Sequence, residues 1–162
     1  MPDVDPADLV ALAQQLGRPA RGVVRVAARC VCGRPTVVQT APRLDDGTPF
    51  PTTYYLTNPQ AVAAVSTLEA SGIMKTMTQA MVDDDELRAA HTRAHEAYLA
   101  DREALGHVPE IAGVSAGGMP TRVKCLHVLV AHALAAGPGV NPIGDQTLAQ
   151  IRDVWRPDRC TC

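Results

Sequence analysis

Gly22-Val23-Val24-Arg25-Val26-Ala27-Ala28-Arg29-Cys30-Val31-Cys32-Gly33-Arg34-Pro35-Thr36-Val37-Val38-Gln39-Thr40 is the stretch that decides the fold class. Two valine-bearing runs, 22–29 and 36–40, flank a short Cys-Val-Cys-Gly-Arg-Pro segment. Valine favours extended backbone, and glycine with proline favours a turn, so the stretch predicts a β-hairpin. Residues 42–51 read as a loop, with Asp46-Gly47 and prolines. Thr52-Thr53-Tyr54-Tyr55-Leu56 predicts a short third strand.

Outside this stretch the pattern is helical. Asp5 and Pro6 are suited to open a helix, Leu9, Leu12, Ala13 and Leu16 recur at helical spacing, and Gly17 stops it. Asn58 and Pro59 open another, lined by Val62, Val65 and Leu68. Ile73, Met74, Met77 and Met81 mark a third. The methionines can form a partner surface, but core packing is the preferred reading. Asp83 to Asp85 precede a longer helix over about 86–105, with acids at its favourable end. Pro120 predicts the start of a strongly apolar helix to about residue 136, and a last helix is expected over about 145–154. The expectation is an α+β fold: a small antiparallel hairpin or three-stranded sheet near the N-terminus, packed against a mostly helical remainder. Residues 1–155 read as a single domain and 156–162 as a C-terminal tail.

Composition excludes several classes. The chain has 162 residues, with 15 Lys plus Arg against 17 Asp plus Glu, a net charge of −2. Binding to nucleic acid through overall charge is therefore not expected. With 46% hydrophobic residues, wholesale disorder is excluded. No apolar run approaches the roughly 20 residues of a membrane span. Five cysteines are the oddity. An odd number, behind a start of Met1-Pro2-Asp3-Val4-Asp5 that lacks basic and apolar leader regions, argues for thiols or metal ligands in a cytoplasmic protein.

Cys30-Val31-Cys32-Gly33 sits in the predicted turn, where two thiolates one residue apart can face one ion. Cys160-Thr161-Cys162 repeats the spacing, and the two pairs together offer four thiolates. A terminal segment after a proline is rarely tied down, so a free tail is the preferred reading. On a helix opened at Pro120, Cys125 and His127 diverge by roughly 200°, and Cys125 and His132 lie about 10.5 Å apart along the axis. A metal at Cys125 then needs donors from elsewhere, Cys30 or Cys32. Gly117 and Gly118 precede the same predicted helix, with Arg122 and Lys124 beside them, which is the physics of an anion site. His91 and His95 share a helix face with Tyr98 and Arg102, and Arg102 can bind an anion there. A solvated helix face is the preferred reading of that stripe.

Several motifs together carry a resemblance. Thr48-Pro49-Phe50-Pro51-Thr52, Tyr55-Leu56-Thr57-Asn58-Pro59, Gly117-Gly118, Val123-Lys124-Cys125-Leu126-His127 and Asn141-Pro142-Ile143-Gly144 resemble the bacterial domain of unknown function 501 family over roughly 9–144. The alanine- and arginine-rich composition looks actinobacterial. The family brings no activity. The resemblance implies cysteines at the positions of Cys30, Asn58 and Cys125, and so implies that these three places meet in space. Asn58 departs from that pattern, and Cys32 is the natural replacement ligand.

Three functional readings result. The first is a zinc site of Cys30, Cys32, Cys125 and His127, since zinc accepts mixed thiolate and imidazole ligands. If one ligand is free, Cys125 near Lys124 becomes an activated nucleophile. The second is a small-anion enzyme or sensor, binding phosphate or carboxylate through Gly117, Gly118, Arg122, Lys124, His95 and Arg102. The third is an interaction module without catalysis.

Overall fold

The computed structural model describes residues 4–162. It is an α+β fold, with a three-stranded antiparallel sheet in the N-terminal part and six α-helices among the described residues. Helix α1 (Pro6–Leu16) starts where Asp5 accepts the Ala7 N–H at 2.8 Å, and it ends at Gly17. Strands β1 (Val23–Arg29), β2 (Pro35–Thr40) and β3 (Tyr54–Leu56) form the sheet in that order. Val26 pairs with Val38, and Val37 with Leu56.

Every residue of β2 is buried. Successive side chains on a strand face opposite ways, so the central strand must be covered twice. Val38 packs with Leu12 of α1 and Val23. Val37 faces the large core, built from Leu56, Leu126, Leu129, Val130, Met77 and Trp155 among others. That core is contributed by α2 (Pro59–Ala70), α3 (Ile73–Asp83), α4 (Asp85–Glu103), α5 (Leu126–Ala136) and α6 (Pro142–Gln150). Met77 and Met81 are buried in it and Met74 packs against it, so the methionines fill the interior. Helix α6 crosses α5 closely at Gly144, where a Cβ would overlap the Leu129 carbonyl. No described helix is long and apolar enough to cross a membrane.

Three expectations about the helices need correction. The apolar helix begins at Leu126 and not at Pro120. The loop before it closes on itself instead: Lys124 and Cys125 donate to the Gly117 carbonyl at 2.8 and 3.3 Å, and Arg122 donates to the Gly118 carbonyl at 3.0 Å. Gly118 holds a φ of 92°, and a Cβ there would meet the Arg122 oxygen and the Lys124 nitrogen at 2.8 Å. Only glycine fits that position without the loop shifting. The last helix likewise starts earlier, at Pro142, because Asn141 accepts the Gly144 N–H at 2.9 Å and caps it.

The third correction concerns α4. Its His91, Tyr98 and Arg102 are buried, not solvated. The Tyr98 hydroxyl accepts the Thr53 N–H at 2.8 Å. Arg102 donates to the carbonyls of Pro51, Val114 and Ile111 at 2.7–2.8 Å. Loops lack the internal pairing of helices and strands, so buried loop carbonyls need donors from neighbouring elements. A polar helix face supplies them here, and its polarity in sequence therefore reads as exposure.

Candidate metal centre

The hairpin turn between β1 and β2 is pinned by the Cys30 N–H on the Arg34 carbonyl at 2.9 Å and the Gly33 N–H on the Cys30 carbonyl at 2.8 Å. This places Cys30, which is buried, and Cys32, which is exposed, on the same end of the sheet. The C-terminal segment folds back to the same place. Trp155, 1% exposed, anchors it in the core. Beyond it the Thr161 carbonyl accepts from Gln60 at 2.6 Å, and the Asn58 amide donates to the Cys162 sulfur at 3.6 Å. The sulfurs of Cys30, Cys32, Cys160 and Cys162 all lie within 4.8 Å of one another. The tail is therefore attached, contrary to the reading of a free end with two loose thiols.

The thiols of this cluster favour ionisation of one member at the expense of others. Cys32 is drawn down to about 7, chiefly by the Arg34 backbone N–H. Burial of its sulfur and the neighbouring thiols push Cys162 up to about 12. Cys160 gains from the Cys162 N–H, but its thiol neighbours and burial leave it raised. One thiolate is easy to form here and the next ones are not. A divalent cation would remove that conflict, because each thiolate would then face positive charge.

The expected ligand set of Cys30, Cys32, Cys125 and His127 does not gather at one point. Cys125 and His127 meet Glu69 in a separate group. Their convergence corrects the 200° argument, which assumed a helix through both residues. Cys125 is the N-cap of α5, in extended backbone with φ −145°, so its sulfur lies 3.9 Å from His127 Nδ1. The same Nδ1 is 2.6 Å from Glu69 Oε1, and Nε2 is 3.3 Å from the Val62 carbonyl and 3.1 Å from Ser66 Oγ. Burial pushes the Cys125 thiol up, but His127 and backbone N–H groups of the first turn outweigh it and leave the thiol lowered. His127 is raised, first by its contact with Cys125 and then, against burial, by Glu69.

The six residues expected at an anion site are dispersed over several surroundings. Gly117 and Gly118 close the loop described above, and that loop stops short of the first turn of α5. His95 Nδ1 pairs with Ser115 Oγ at 2.7 Å. Arg102 is enclosed by carbonyls, and Arg122 and Lys124 are exposed. Position 58, which the resemblance expects beside Cys30 and Cys125, lies against the four-thiol cluster through Cys162.

A family model described as protein of unknown function, DUF501, matches residues 26–149. The chain belongs to this family. In this DUF501 protein the match takes in the hairpin thiols and the whole Glu69–Cys125–His127 group, but stops before Cys160 and Cys162. No curated protein and no solved structure matches the chain.

Proposed function

We propose that this DUF501 protein binds one zinc ion through Cys30, Cys32, Cys160 and Cys162, and that the ion fastens the C-terminal segment to the hairpin. The supporting observation is the convergence of two Cys-x-Cys pairs, from opposite ends of the chain, within 4.8 Å. Four sulfurs about 2.3 Å from one ion stand roughly 3.8 Å apart at the corners of a tetrahedron, so one ion fits with small adjustment. All four ligand positions are protein thiolates, which makes the centre closed and structural and not catalytic. Such thiols stay reduced and metal-bound most readily in a reducing compartment, which favours the cytoplasm. The small-anion reading has less support, because its residues are dispersed among loop closure, a serine pair and a ring of carbonyls.

Elemental analysis of the purified chain tests the proposal. One zinc per chain is expected, lost in both Cys30→Ser and Cys160→Ser and retained in Cys125→Ser. Metal-free protein with full stability, or one iron in place of zinc, overturns it.

A further inference from the structure

The second cluster has a different chemistry. His127 offers both ring nitrogens to acceptors: Nδ1 to Glu69 Oε1 at 2.6 Å and Nε2 to the Val62 carbonyl at 3.3 Å. The carboxylate only accepts, so Nδ1 carries a proton toward it, while Nε2 lies between the Val62 carbonyl, which only accepts, and Ser66 Oγ at 3.1 Å, which can accept or donate; with both nitrogens donating the ring is an imidazolium. An imidazolium has no lone pair for a metal, but it balances a thiolate, and the Cys125 sulfur lies 3.9 Å from Nδ1. The backbone N–H groups of His127 and Val128 at the start of α5 also face that sulfur. This pair lines a cleft of about 510 Å³ whose walls include Leu16, Tyr54, Tyr55, Leu56, Val62 and Val128. The cleft thus combines apolar and aromatic walls with the Cys125–His127 pair.

We propose that Cys125 is a nucleophile toward activated acyl compounds, thioesters or esters, whose apolar body lies in this cleft. The sulfur forms a bond to the carbonyl carbon and loses its charge, and the oxyanion forms beside the His127 and Val128 N–H groups that the thiolate then releases. The bond to the leaving thiol or alcohol then breaks, its electron pair stays with the leaving atom, and His127 gives that atom a proton. Neutral His127 next takes a proton from water, which attacks the acyl–sulfur bond, releases the carboxylic acid and restores the pair. Disulfide chemistry fits less well, because no second cysteine belongs to this cluster.

The test uses the metal-loaded full chain and the acetyl thioester of N-acetylcysteamine, with intact mass read after acid quench. One acetyl group per chain is expected, mapped to Cys125 and absent in Cys125→Ser. His127→Gln should form the adduct about 100-fold more slowly, the lower range for losing a positioned proton donor. Unchanged zinc content in both variants shows that they fold. The proposal is overturned if there is neither an adduct nor thiol release faster than in Cys125→Ser, if Cys125 reacts no faster than in the urea-unfolded chain, or if Cys125 binds a second metal ion.

Discussion

The two thiol clusters sit on opposite sides of one design choice. Cys30, Cys32, Cys160 and Cys162 are four like groups, three of them exposed. On the proposed reading, a bound ion balances the charge they carry once ionised. Cys125 is half-buried and is balanced from inside, by His127 and the first turn of α5. A cluster of the first kind is closed once filled, and its work is to hold chain segments together. One of the second kind is complete without an ion and leaves its sulfur facing a cleft. Glu69 separates the two further, because it gives His127 a fixed anionic partner that the four-thiol cluster lacks.

The largest effect should come from removing the ion. A site saturated at about 1,000 times its dissociation constant contributes about 4 kcal/mol. In a chain of this length each kcal/mol moves the melting temperature by about 2–4 °C. Chelation, or Cys30→Ser, should therefore lower the melting temperature by roughly 10 °C and expose Cys160 and Cys162 to alkylation. Cys125 should keep its reactivity. Equal loss at both clusters would show that they are one unit. Gly118→Ala should act in the opposite sense. A Cβ at that position meets backbone atoms at 2.8 Å, so the loop that delivers Cys125 has to move. About 3 kcal/mol of stability and most of the Cys125 reactivity should be lost, with zinc content unchanged. Calorimetry with thiol mapping reads both.

The contrast between the clusters also explains what the sequence discloses. Local signals locate α1 and α2, since Asp5-Pro6 and Asn58-Pro59 carry cap and first-turn chemistry in adjacent residues. The hairpin is equally local, and its turn thiols are visible at once. What sequence hides is non-local or depends on a helix boundary. Nothing near Glu69 marks it as the partner of a residue 58 positions later. The return of Cys160 and Cys162 depends on Trp155 filling the core, and one buried tryptophan has no periodicity to read. Placing the start of α5 six residues too early turns Cys125 away from His127 on paper, although the chain brings them together. The repeat of Cys-x-Cys spacing is the one available clue to the four-thiol cluster, and chain-end position weighs against it only when packing is unknown.

Acid should test the wall behind the cleft. His132 is buried, stacked on Tyr54 with ring centres 5.6 Å apart, and burial pushes it down to about 4 against small upward pulls from Asp101 and Asp145. Its folded value lies below the unfolded one, about 6.5. The unfolded chain therefore binds more protons in that window, and stability is full above it and falls as pH falls toward 4. The loss should reach about 2 kcal/mol by pH 5. Measured in Cys30→Ser, which has no ion to release, most of the loss should disappear on adding His132→Gln, the remainder resting on His91 and His95, which burial also lowers. If it persists, other groups carry the acid sensitivity.

Glu69→Gln should give the smallest effect and separate two roles of one carboxylate. Oε1 accepts the Leu126 N–H at 3.2 Å and pairs with His127 Nδ1 at 2.6 Å. Glutamine keeps an acceptor for the helix N–H but removes the charge. If the carboxylate serves mainly to hold His127 protonated, the imidazole titration followed by NMR should move down toward its ordinary value, at a cost of about 1 kcal/mol in stability. An unmoved titration would assign Glu69 to helix capping alone. The imidazolium would then rest on the Cys125 sulfur and the Val62 carbonyl, and the internally balanced pair would consist of Cys125 and His127 without a third member.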